Sequence, residues 1–143
     1  MDSWKSQFLD KLRDAQSQCA KQFETALDTF VAPVFDDLSG FLRDNGFQVS
    51  NPLNENGRRS FKAELAENAY VLLIFRFAGV GEFEMRTEIF VPGAEPVLER
   101  ENGRLADIDS DWAQTSFQGC LDRFVDALAT QESETPTAEP ALV

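Results

Sequence analysis

The chain has 143 residues, thirteen of them Phe and none His, with 25 acidic against 13 basic side chains and a net charge of −12. Without imidazole there is no Ser-His or Cys-His nucleophile pair and no histidine ligand for zinc or haem. The negative balance repels phosphate backbones and anionic membrane surfaces, while 43% apolar residues in a 16.0 kDa chain suffice for an unaided core.

Trp4, Phe8, Leu12, Ala15, Cys19, Phe23, Leu27, Phe30, Val34, Leu38 and Phe41 recur at steps of three or four, the period of one helix face. The spacing predicts a helix over 3–45, capped at Ser3 and stopped by Asn45-Gly46. Pro33 removes a backbone donor and crowds residue 29, so a kink is expected near Thr29 to Ala32. The mean step, about 3.7 residues, is too long for a left-handed zipper and suits packing across a sheet. A straight helix of this length spans roughly 60 Å, whereas a compact domain of this size has a radius of gyration near ~15 Å. Either the helix bends or another protein covers part of its stripe.

From Phe47 the period changes to two. Strands are expected at about 47–50, 59–66, 69–78 and 82–91, separated by the Asn51 to Gly57 loop, a Glu67-Asn68 turn and a Gly79-Val80-Gly81 hairpin. Short connections imply a four-stranded antiparallel meander, with the most apolar strand, 69–78, central. Pro92 to Ala106 reads as a connection holding at most a brief extended piece at Val97-Leu98. A last helix is expected over 111–130, on Trp112, Phe117, Cys120, Leu121, Phe124, Val125 and Leu128. Residues 131–143, rich in Glu, Thr, Pro and Ala, read as a disordered acidic tail. The fold class is therefore α+β: one domain over 1–130, with the Pro33-kinked helix and the C-terminal helix packed on one sheet face.

That inner face carries Phe61, Leu65, Val71, Leu73, Phe75, Phe77, Phe83, Met85 and Ile89. The outer face shows Lys62, Glu64, Glu82, Glu84, Arg86 and Glu88 around an apolar middle of Tyr70, Leu72 and Ile74, with Phe90 beside it. Such a patch is either screened by the charged stems around it or a contact surface.

The remaining motifs carry little chemistry. Asp107, Asp109 and Asp111 start like an EF-hand loop, but Trp112 and Gln118 occupy the glycine and bidentate-acid positions; Asp109 or Ser110 is expected to cap the last helix instead. Gly79-Val80-Gly81 joins strand to strand, unlike a dinucleotide fingerprint. The Glu82, Glu84 and Glu88 ladder reads as solvated charge on an open face, and Arg58, Arg59 and Lys62 as offsetting local acidity. Cys19 and Cys120 read as small buried thiols, although spacing leaves a disulfide open. Met1 to Gln7 is polar and charges follow at once, so no signal peptide and a cytoplasmic location are expected.

No catalytic, cofactor or metal residues are therefore expected. The expected function is a non-enzymatic protein–protein interaction module, a homodimeric adaptor or chaperone-like binding protein, with Trp4, Phe8, Tyr70, Leu72, Ile74 and Phe90 as its candidate surface. Its partner is another protein or a second copy, not nucleic acid or membrane. The alternative is a small apolar-ligand-binding domain whose Phe-lined cavity uses Tyr70, Arg76 or Arg86 for orientation. In size, acidity and helix–sheet–helix layout the chain resembles small secretion chaperones, an architectural likeness without a shared motif, which implies dimerisation and the holding of partner segments.

Overall fold

The long apolar stripe forms one helical run in three parts: α1 (Asp2–Ala26), a π-helical turn (Leu27–Val31) and α2 (Ala32–Asp44). These come from a computed structural model that describes residues 2–55 and 57–138, with side chains over 3–55 and 57–130. Pro33 occupies the first turn of α2, where its missing N–H matters least. The π turn ahead of it closes with the Ala32 N–H donating to the Leu27 carbonyl, five residues back. Steps of four in an α-helix rotate the facing direction by about 40° each, and the wider π winding takes that drift back. Phe23, Leu27, Val31 and Phe35 consequently all stay against the sheet. The stripe expected from sequence overshoots here. Phe30 and Val34 are half-buried and Phe41 is exposed, while Val31, Phe35 and Leu42 fill the core. The α2 end is a Schellman stop as expected: Gly46, at φ 94°, donates to the Arg43 carbonyl, and Phe47 N–H reaches the Leu42 carbonyl at 2.9 Å.

The sheet has six strands rather than four. β3 (Arg58–Ala66), β4 (Ala69–Phe77) and β5 (Glu82–Phe90) are the three long expected strands, and β1 (Gln48–Val49) is the short first one. Two were not expected. β2 (Leu53–Glu55) pairs with Arg58–Ser60 inside the stretch read as a loop, and Asn56 of its turn lies outside the described residues. β6 (Val97–Arg104) pairs antiparallel along β5, where at most a brief extended piece was expected. The order is β1-β3-β4-β5-β6, with β2 beside β1 on the β3 edge. Both missed strands are edges. The side chains of both are exposed on either face, so they lose the alternation that marks half-buried strands, and charge along an edge such as β6 blocks further pairing. Asn102-Gly103 looks like a turn but is strand because the Phe83 ring packs over it: a Cβ on Gly103 would lie 2.7 Å from Phe83 Cζ.

α3 (Ser110–Ala138) closes the fold. Asp109 caps it, its Oδ1 accepting from Trp112 N–H at 2.7 Å. The helical backbone runs past Thr130 to Ala138, into the stretch read as a disordered tail. Gln and Glu extend an already nucleated helix at little cost. The rest of that expected tail, 139–143, lies outside the described residues.

α2 and α3 meet the sheet through one aromatic cluster. Phe35 packs on Phe61 and Phe117, with centroids 4.7 and 5.4 Å away, and Phe117 meets Phe61 and Phe75 edge-on. Trp112 stands edge-on to Phe75 and Phe83. These tilted and T-shaped contacts set ring edges against ring faces. Of the expected inner-face residues, Leu65 is exposed, because the β3–β4 register shifts between Glu64 and Ala66 and carries it past the covered area.

Candidate interaction surface

Among the described residues three apolar regions bear on partner contact, and the first follows from where the sheet ends. A nine-residue strand such as β4 is about 30 Å long. The helix from Phe23 to Asp44 covers that at about 33 Å, and what precedes Phe23 has little sheet left to lie on. Every residue from Ser3 to Gln18 is exposed. Along this arm Trp4 is 65% and Phe8 49% exposed, with Leu9 and Leu12 beside them. The Trp4 and Phe8 rings stack at 5.5 Å, so they shield one another and nothing else covers them among the described residues. Lys5 and Lys11 flank this stripe at about 60° on either side, and Asp10 and Asp14 fall on the helix back.

An ion-pair latch marks where the arm ends. Alternation along β3 puts Arg59 on the inner face with Phe61, under α1, where its side chain is only 5% exposed. Its guanidinium donates to Glu24 at 2.7 Å and Asp28 at 2.5 Å. Nε stays buried without a hydrogen-bond partner. Phe23 packs on Phe77 alongside, at 5.7 Å. Arg59 was grouped with Arg58 and Lys62 by sequence, but the period of two separates it from both: those two point outward.

The outer sheet face is the second region, and it largely covers itself. Tyr70 stacks on Phe90 at 4.7 Å, and Lys62 Nζ sits 4.4 Å over the Tyr70 ring. Leu72 is half-buried in register with Lys62 and Glu88. Ile74, between Ser60 and Arg86, is 7% exposed and offers little to a partner. Glu84 draws Arg86 and Arg100 to 3.7 and 3.6 Å. Long charged stems screen this patch, so the candidate residues fall into two groups: Trp4 and Phe8 open, and Tyr70, Leu72, Ile74 and Phe90 roofed or packed.

The third region was missed. α2 and α3 leave a groove between them lined by Leu38, Phe41, Phe47, Leu121 and Val125. Phe41 is 62% and Val125 56% exposed, although both were counted in core stripes. The available signal is adjacency: Phe41 and Leu42 cannot both face the sheet, and Phe124 and Val125 cannot either. Asp37, Asp44, Asp122 and Asp126 stand exposed on these two helices. Arg43 is turned to the Val49 carbonyl, and Arg123 is paired with Glu99.

The core space among Phe35, Leu42, Phe61, Leu73 and Phe117 is about 20 Å³, room for about one water. Both cysteines are free. Burial pushes the Cys120 thiol from an ordinary 9.0 up to about 12, so it stays protonated and unreactive near neutral pH. Among the described residues no group of Asp, Glu or Cys could hold a metal ion, and no helix is long and apolar enough to cross a membrane. No family model, curated protein or solved structure matches this chain.

Proposed function

We propose that this chain works by holding protein, as a non-enzymatic adaptor or chaperone-like module that binds a partner or a second copy of itself. One observation carries the reading: a full helical arm, bearing Trp4, Phe8, Leu9 and Leu12, stands clear of the fold with its apolar side open. An isolated helix of about 16 residues is marginal in water and normally draws its stability from packing, so an uncovered amphipathic arm fits a surface meant to be covered. The charge of −12 favours protein over nucleic acid or anionic membrane as what covers it. Two free thiols fit a reducing, cytoplasmic setting. The roughly one-water core space gives a small apolar ligand no ready volume.

The test is light scattering of the full chain at tens of micromolar, with co-purification from its source by the full chain and by a Trp4→Ala/Phe8→Ala variant. Self-association, or a protein retained by the native chain and lost with the variant, supports the reading. A clean monomer retaining nothing that the variant does not also retain removes it.

A further inference from the structure

Resting on that reading, we infer that the arm of one copy docks in the α2–α3 groove of a second copy, in a reciprocal two-fold exchange. The two surfaces match in charge. Lys5 and Lys11 flank the arm's apolar stripe, while Asp10 lies behind it, 3.9 Å from Arg13. Asp122 lines the groove, Asp37, Asp44 and Asp126 stand exposed on the same two helices, and the arginines of those helices, Arg43 and Arg123, are engaged elsewhere. A cationic stripe on a strongly acidic molecule meets its complement on that molecule's own surface.

A chain cannot satisfy its own groove. α1 leaves the sheet at the Phe77 end, and the groove lies at the opposite end, beside Phe47 and Phe124. Phe77 is six residues along β4 from Val71, about 20 Å, and the helix runs away from the groove, not back to it. Because arm and α2 belong to one helical run, a two-fold axis across that run lays each arm antiparallel over the other copy's α2. The area argues for exchange of both arms. One helix face of this length buries a few hundred Å² a side, short of the roughly 1,200 Å² in total that stable complexes reach. Two such contacts reach it, and a closed two-fold pair avoids the open chains that one-way docking would build.

The experiment uses the full chain as Phe8→Asp and Phe41→Asp variants, both at exposed positions, with folding checked by circular dichroism. Mass and dissociation constant are read by light scattering and sedimentation. The native chain should be dimeric, and each variant should weaken the dimer at least about tenfold. Leu72→Asp, on the outer sheet face, should leave the dimer intact. A dimer broken by Phe8→Asp but not by Phe41→Asp overturns the groove and leaves the arm as an interaction surface. A dimer broken only by Leu72→Asp overturns the arm as well. A native chain that stays monomeric overturns self-docking, and the interaction reading then stands or falls on co-purification.

Discussion

The two halves of the long helix are built from the same pattern and end in opposite environments. Residues 3–18 repeat apolar side chains every three or four positions and bury none; residues 23–42 do the same and supply five core side chains, Phe23, Leu27, Val31, Phe35 and Leu42. Periodicity states that a helix has an apolar face, not that the fold has something to set against it. The limit is length: strands of about 30 Å cover a little over half of the helix, and the Arg59 latch with Glu24 and Asp28 stands at that boundary.

The comparison breaks most sharply at matched phenylalanines. Phe23→Ala should lower stability by about 3–5 kcal/mol, because the ring is fully enclosed, whereas Phe8→Ala should change monomer stability by about 0.5 kcal/mol or less. Urea melts at dilutions where any assembly has dissociated decide it, and equal losses would mean the arm belongs to the fold. The latch comes next. Glu24→Gln with Asp28→Asn leaves a buried guanidinium without a counter-charge and should cost about 3 kcal/mol. Arg59→Met leaves only two partly exposed carboxylates and should cost about 1 kcal/mol; the same melts would show the asymmetry.

A pH test reads the buried thiol. Cys120, with its pKa raised to about 12, holds its proton more tightly folded than unfolded. Its contribution is thus complete below an ordinary 9.0 and is lost as pH rises toward 12, at up to about 1.4 kcal/mol per unit. Cys120→Ala should flatten that slope, and native-state iodoacetamide labelling at pH 8 followed by mass mapping should leave Cys120 unmodified. The smallest effect is in opening energy: trypsin should cut first at Lys5, Lys11 and Arg13 in dilute chain, since an unpacked helix opens at little cost. Protection of those sites as concentration rises would instead signal that the arm has found cover.

Much of the fold was legible. Alternation in 69–78 and 82–91 separated the two sheet faces correctly residue by residue, because a strand with one covered face must alternate. Pro33 located the helix interruption, and Asn45-Gly46 its stop. Three things were not legible. β6 carries charge on both faces, and β2 is exposed throughout with one apolar residue, so both look like connections. The π turn adds its winding between Leu27 and Val31 and shifts the core residues from 30, 34 and 41 to 31, 35 and 42. The groove at Phe41 and Val125 exists only because two helices from opposite ends of the chain lie side by side.

By itself, then, the sequence determined the local grammar of this protein: where helices and strands form, which side chains share a face, and which chemistries are absent for want of histidine. Those follow from backbone geometry and side-chain type, which act over a few residues. Tertiary structure alone decided which apolar faces are used up. Cover depends on the span of the sheet against the length of the helix, and on which elements come together, and neither quantity is written in any short stretch of residues.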